Sequence, residues 1–392
     1  MADKVLTGNG SLERHVVHRY AEAARRVTPE LCCPVDYDPR YLQAIPQEVL
    51  DRDYGCGDPS AYLREGETVL DLGAGGGKIC FIASQVVGPR GHVIGVDVSD
   101  EMLALALSAA PKVAAALGFA NVRFLKGRIQ DLALDLDRLD ARLREDPPTS
   151  ASQWQELNAE MEEWRRTAPL VPDASVDVVV SNCVLNLVVP EDKPRLFREI
   201  HRVLKPGGRA VISDIVSDEE VPENLQTDPD LWTGCVSGAL REDRFLEAFE
   251  AVGLYGIRLL KRQLKPWRTV EGIEFRSVTV EAFKGKEGPC WERNQAVIYR
   301  GPFREVSDDD GHTYHRGVPT AVCDKTFRIL GRAPYAEHFS PVPPRVEVPL
   351  EAAKPFACSG GTRVRTAKET KGETYAATTD AAPCCGERGN CC

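Results

Sequence analysis

The chain has 392 residues, 43% of them hydrophobic, enough to bury substantial cores and to allow two or three domains. Its formal net charge is −10 and its lysines and arginines form no dense block, which disfavours a nucleic acid or an anionic membrane as partner. No apolar run approaches the roughly 20 residues needed to span a bilayer, and Met1 to Asn9 carry no secretory apolar core, so a cytoplasmic location is expected. Thirteen cysteines then need a reason, because a reducing compartment does not use them as disulfide staples.

In chain order, the first notable segments are Leu31-Cys32-Cys33-Pro34, a vicinal thiol pair, and Tyr54-Gly55-Cys56-Gly57, a thiol between glycines whose sulfur is expected to be accessible. Thr68 to Leu72 reads as an apolar strand that runs into Gly73-Ala74-Gly75-Gly76-Gly77, with a helix predicted from Lys78 to Gln85. Glycines at such a turn let the backbone pass close to a ligand, and the helix that follows aims unpaired N–H groups at it. A second strand, Gly91 to Val96, ends at Asp97, where a carboxylate can accept both hydroxyls of a ribose. Val122 to Leu125 and Val176 to Ser181 are a third and a fourth strand, and Arg195 to Leu204 is a helix. Lys205-Pro206-Gly207-Gly208 punctuates the chain before a fifth strand, Arg209 to Asp214. Strands alternating with helices predict a parallel, doubly wound α/β sheet.

Cys80 falls on the apolar helix and is expected to be a buried structural thiol. Cys183 falls in Ser181-Asn182-Cys183-Val184-Leu185-Asn186-Leu187, at the carboxyl end of the fourth strand, where residues face the ligand crevice of an open parallel sheet. Cys235, in Leu231-Trp232-Thr233-Gly234-Cys235-Val236-Ser237-Gly238, lies beyond the fifth strand and is again next to glycine.

The spacing Asp71-x-Gly73-x-Gly75-x-Gly77 resembles the first motif of class I S-adenosylmethionine methyltransferases, and the Leu-Lys-Pro-Gly-Gly punctuation is typical of them. That resemblance implies a Rossmann-like fold that holds S-adenosylmethionine through Asp71, Gly73, Gly75, Gly77, Asp97, Met102, Ile129 near the adenine, and Asn182, with Cys183 near the reactive methyl. The combination of Tyr-Gly-Cys-Gly, Ser-Asn-Cys-Val-x-Asn-Leu and Trp-x-Gly-Cys-x-x-Gly is more specific and resembles the arsenite S-adenosylmethionine methyltransferases over most of the chain. That family implies that Cys56, Cys183 and Cys235 hold trivalent arsenic, and that Cys32 or Cys33 exchanges disulfides with Cys56. It also implies re-reduction by thioredoxin or glutathione and a role in arsenic detoxification.

Elementary chemistry agrees. Trivalent arsenic is soft and thiophilic, and three thiols can replace the hydroxyls of neutral arsenous acid with no change of charge. The lone pair left on arsenic can then be aimed at a methyl donor for in-line displacement, with no proton to remove and hence no general base required. Zinc would want four N or S ligands, and no Cys-x-x-Cys pair occurs among the three. The alternatives are a methyltransferase for antimony, selenium or tellurium or for a small organic molecule, or a non-catalytic metalloid-binding protein.

The expected organisation is a cap segment at 1–61, the cofactor-binding domain at 62–216, a metalloid-binding lobe at 217–266, a small α+β domain at 267–339 and a disordered Cys-ended tail at 340–392. Residues 133–172 exceed the usual family connection and read as a charged helical hairpin, with Leu132, Leu136, Leu139 and Leu143 on one helix and Trp154, Leu157, Met161 and Trp164 on the other. Cys290 and Cys323 receive no role, and Cys384, Cys385, Cys391 and Cys392 are expected to be dispensable accessories.

Overall fold

The computed structural model describes residues 9–28, 35–52, 54–358 and 361–372. Cys32, Cys33 and the four terminal cysteines lie outside them. The chain divides into two compact units, Met1–Gly285 and Lys286–Cys392.

In the first unit the strands are β1 (Thr68–Leu72), β2 (His92–Asp97), β3 (Val122–Lys126), β4 (Val176–Asn182), β5 (Leu204–Ser217), β6 (Tyr255–Arg262), β7 (Arg268–Val270) and β8 (Ile273–Phe283). Their order is β3-β2-β1-β4-β5-β8-β6, with β7 on β8. The first five run parallel, and β8 is antiparallel to both β5 and β6. Successive side chains of β1 alternate between the two faces: Leu70 and Leu72 enter a core with Ile94, Phe197 and Ile212, whereas Val69 enters one with Ile79, Cys80 and Val180. Helices cover both faces, which is why these strands read as nearly continuous apolar runs. The strand order reverses between β1 and β4, so the crevice beyond their carboxyl ends is the place for a ligand.

The helices start and stop where the sequence provides caps. Ser99 accepts a bond from Met102 N to open helix Asp100–Leu117, and Gly118 closes it in the left-handed conformation. The predicted hairpin forms as Leu136–Glu145 and Ala151–Thr167. Its inward stripe is narrower than expected, since Leu157 is buried while Trp154 faces solvent. Asp131 anchors it through Arg165 at 2.8 Å and also binds Arg195 at 2.8 Å.

Three boundaries differ from expectation. Residues 267–285 belong to the first unit, because β8 pairs with β5 from Arg209↔Phe283 to Ser217↔Phe275 and sends Val278, Val280 and Ala282 into the main core. The lobe expected at 217–266 is likewise continuous with the sheet through β6. Lys205 to Gly208 lies inside β5 as an irregularity where the register against β4 shifts, rather than ahead of the strand.

The second unit has a three-stranded antiparallel sheet of Pro319–Ala321, Ala296–Tyr299 and Phe339–Val342 over a core that includes Val297, Tyr314, Val322 and Leu330. The segment from 340 onward is not uniformly without structure. Lys354–Pro355 pairs with Trp291–Glu292, and a capping box of Thr366 and Glu369 opens helix Ala367–Lys371. Its Pro, Thr and Glu residues act as caps and edge pieces, a use that composition alone does not reveal.

Helix Lys193–Val203 packs on Glu242–Glu250 through edge-to-face rings, Phe197–Phe249 at 5.0 Å and Phe197–Phe245 at 6.5 Å. Phe249→Ala should lower unfolding free energy by about 3–5 kcal/mol in denaturant titration.

Candidate active site

Beyond the carboxyl ends of β1, β2 and β4 lies a cavity of about 530 Å³. Its floor is the glycine turn. Gly73 and Gly75 have φ of 68° and 51°, and a Cβ on Gly75 would project into open space, so the backbone itself forms a cradle that a ligand can approach. Gly77 is a different case: it does not line the cavity, and a Cβ there would meet Phe124 at 2.8 Å, so it serves the packing of helix Lys78–Val87. Asp71, Met102, Ile129 and Asn182 all line the cavity. Cys80 is fully buried and its thiol donates to Asp71 Oδ2 at 3.2 Å.

Asp97, at the tip of β2, accepts from Gly75 N at 2.8 Å and Ser99 N at 2.9 Å. Burial pushes its carboxyl above the ordinary value, partly offset by these N–H donors. A cradle of bare backbone with a half-buried carboxylate at its rim fits the amino-acid and ribose parts of a nucleoside cofactor.

One wall was not anticipated. Helix Asn9–Arg25 contributes Glu13, Val16, Val17, Tyr20 and Ala21 to the cavity. It is tied down by Arg19–Asp230 at 2.9 Å, Arg25–Glu101 at 2.9 Å and Gln130 Nε2 to Glu13 at 3.0 Å. The apolar residues Val16, Val17, Tyr20, Ala21 and Ala24 at helical spacing were the available signal.

Cys56, Cys183 and Cys235 share one apolar cluster with Ile215, Val236 and Phe275. The sulfurs of Cys56 and Cys183 and a carboxylate oxygen of Asp214 lie within 4.8 Å of one another, and the Cys235 thiol donates to the Cys183 carbonyl at 3.0 Å. Of the three, Cys183 also lines the cavity, which makes it the junction between the cradle and the thiols. The thiols are 6%, 4% and 3% exposed, so the accessibility expected from their glycine neighbours is not what the structure has. Those glycines serve close packing: a Cβ on Gly55 would lie 2.0 Å from Asn182 Nδ2, and one on Gly57 would lie 2.7 Å from Ser213.

Cys183 and Cys235 both adopt left-handed backbone, with φ of 64° and 58°. This conformation costs a non-glycine residue on the order of 1–3 kcal/mol and persists where surrounding contacts impose it. The contacts are visible. Cys183 N donates to Ser213 O at 2.8 Å, and Cys235 N to Trp232 O at 3.0 Å. Lys193 Nζ reaches Leu185 O and Gly238 O, both at 3.0 Å, and so joins the two thiol-bearing loops. Its burial lowers it to about 8, and burial raises nearby Asp214 to about 6. Asp214 in turn receives Leu185 N at 2.9 Å and Ile215 N at 2.8 Å. Neither Lys193 nor Asp214 carries a local signal in the sequence: Lys193 opens a helix and Asp214 lies inside β5.

Asn182, expected as a cofactor contact, has its amide filled elsewhere. It accepts from Cys56 N at 2.9 Å and Gly57 N at 3.0 Å, and donates to Gly57 O at 2.8 Å and the Tyr37 hydroxyl at 3.1 Å. It thereby holds the Cys56 loop against β4. Tyr20 stands beside the thiols, and burial first, then the Cys235 and Cys183 sulfurs, push its hydroxyl well above the usual value.

The sheet order and the glycine cradle define a class I S-adenosylmethionine-dependent methyltransferase. A family profile described as a methyltransferase domain matches residues 63–253, and one described as a domain of unknown function matches residues 286–375. The chain is 34% identical over 325 residues to an arsenite methyltransferase of Aquipseudomonas alcaligenes, covering 79% of this chain and 83% of that protein. It is 30% identical over 376 residues to the arsenite methyltransferase of Mus musculus, covering 89% and 88%. An arsenic(III) S-adenosylmethionine methyltransferase from Chlamydomonas reinhardtii superposes with a TM-score of 0.53 at 28% identity, over 81% of this chain and 99% of that one. The chain belongs to the arsenite methyltransferase family.

Two outcomes are expected. Asn182→Ala should sharply reduce arsenite methylation while calorimetric titration still shows cofactor binding, since the Cys56 loop loses three bonds, Tyr37 one and the cradle none. Cofactor affinity should be highest with Asp97 ionised and should fall on acidification through its raised pKa. Asp97→Ala should bind several-fold more weakly and lose that pH dependence.

Proposed function

We propose that Cys56, Cys183 and Cys235 bind arsenite as one trithiolate and present it for methylation, giving methylated arsenicals. The observation that carries this reading is the meeting of these thiols in one buried apolar cluster with Cys183 facing the cofactor cavity. When bound, S-adenosylmethionine supplies an electrophilic methyl group, and Asp71, Gly73, Gly75, Asp97, Met102 and Ile129 are the residues that would hold it.

Arsenous acid exchanges its three hydroxyls for the three sulfurs and releases three waters, which leaves a neutral complex suited to an apolar pocket. The arsenic lone pair remains available on the face away from the sulfurs. Apolar neighbours such as Ile215, Val236 and Phe275 exclude water from the sulfurs. Asn182, Lys193 and Asp214 position the thiol loops and do no chemistry themselves. Each methyl gained takes arsenic to the pentavalent state, and two thiols can return it to trivalent by closing a disulfide. An external thiol system such as thioredoxin or glutathione then reopens that disulfide, with Cys32 or Cys33 as the exchanging partner. A reducing, cytoplasmic setting suits this cycle, and so does a role in arsenic detoxification. Among the described residues no helix is long and apolar enough to cross a membrane.

Labelled cofactor, a reductant and arsenite, antimonite or selenite, followed by speciation of products, test the proposal. Cys→Ser at any of the three should abolish or severely reduce methylation of arsenite, because a hydroxyl is a hard ligand and the cage is left incomplete. A methylated arsenical needs only two thiols, so Cys56→Ser should still methylate it while Cys183→Ser and Cys235→Ser should not. Full activity of Cys183→Ser would sink the trithiolate.

A further inference from the structure

The second unit contains another group of three thiols that the reaction above does not use. Strand Trp291–Glu292 pairs with Lys354–Pro355, and Phe356 N donates to Cys290 O at 2.8 Å just beyond the pair. Cys358 N then donates to Phe356 O at 3.1 Å, which turns its side chain back beside Cys290. Cys323 arrives from elsewhere, as the residue that caps helix Asp324–Leu330, its sulfur accepting from Thr326 N at 3.4 Å. The three sulfurs lie within 4.8 Å of one another, and none is in a disulfide.

We propose that Cys290, Cys323 and Cys358 form a second soft-ion site, which binds trivalent arsenic as a trithiolate in the second unit. Three observations select that occupant. First, among the described residues no fourth His, Cys, Asp or Glu ligand atom joins the group, which leaves zinc short of its usual four N or S ligands but completes the three covalent bonds of arsenic. The imidazole of His312 is engaged elsewhere, with Nδ1 at 3.0 Å from Asp308 and Nε2 at 3.2 Å from the Cys358 carbonyl. Second, the three convergent thiols match, one for one, the three hydroxyls that neutral arsenous acid can exchange. In that exchange three S–H and three As–O bonds break, three As–S bonds form, three waters leave, and arsenic stays trivalent. A zinc ion would instead have to expel those protons. Third, Cys323 is 1% exposed while Cys290 and Cys358 are half-buried, so the group has a sheltered base and an open rim through which a small neutral acid can enter.

The test uses the full-length chain with Cys32, Cys33, Cys56, Cys183, Cys235, Cys384, Cys385, Cys391 and Cys392 all changed to Ser, which removes the other proposed arsenic ligands. After loading with sodium arsenite under a phosphine reductant and desalting, about one arsenic per chain should remain, with three sulfur neighbours by X-ray absorption. Adding Cys290→Ser or Cys358→Ser, both at half-buried positions, should lower retention about tenfold, equivalent to 1.4 kcal/mol. The unmutated protein provides a measurement that does not depend on the variants folding: arsenite should slow alkylation of Cys290, Cys323 and Cys358 together, read peptide by peptide by mass spectrometry. In the otherwise unmutated chain, Cys290→Ser should retain arsenite methylation, which separates this site from the catalytic thiols. No arsenic on the reduced-cysteine chain, retention indifferent to Cys290→Ser and Cys358→Ser, preferential retention of zinc in competition, or unchanged alkylation in the unmutated protein would each overturn the proposal.

Discussion

A single side-chain amide ties the two halves of the active site together. Asn182 ends β4, the strand next to the glycine turn, and its four hydrogen-bonding positions are filled by the Cys56 loop and Tyr37. The residue that follows is Cys183, so the group that seats one thiol also sits beside the next. Small residues make the clamp possible, because Gly55 and Gly57 leave no Cβ where Asn182 and Ser213 must lie. An amide suits the position better than a carboxylate or a hydroxyl, since the position gives two hydrogen bonds and accepts two, whereas an ionised carboxylate gives none and a hydroxyl only one.

The strained backbone at Cys183 and Cys235 has its place in the same scheme. A left-handed cysteine turns its side chain out of the path a strand or helix would give it, and here both sulfurs are turned into one apolar pocket. The surrounding bonds hold that arrangement before any ligand arrives. Lys193 bridges the carbonyls of both loops, and Asp214 receives Leu185 N, two residues beyond Cys183. A soft ion that needs three sulfurs at once is then met by groups whose ordering cost has been met by the fold, which is the thermodynamic meaning of preorganisation.

The two units show different uses of cysteine. In the first, thiols surround a junction with a cofactor cavity, and polar positioning groups join their loops. In the second, three thiols converge from a strand pair and a helix cap. The former arrangement suits turnover and the latter suits capture.

The sequence by itself determined the parallel sheet, the cradle at Gly73 and Gly75 and the carboxylate at Asp97, because each is a local pattern: strand periodicity, turn chemistry, or a residue at a strand's carboxyl end. The particular family was legible too, through three short cysteine motifs read together. Only the tertiary structure decided the rest. Helix Asn9–Arg25 becomes a cavity wall through ties to Asp230, Glu101 and Gln130, all distant in sequence. Strand Ile273–Phe283 joins the first unit's sheet because its pairing with β5 and the burial of Val278 and Val280 outweigh the chain's apparent boundary. Asn182 reads locally as a cofactor contact and is claimed by the Cys56 loop, while Lys193, Asp214 and the meeting of Cys290, Cys323 and Cys358 have no local signature at all. What sets them is proximity across long loops, which periodicity and turn chemistry do not encode.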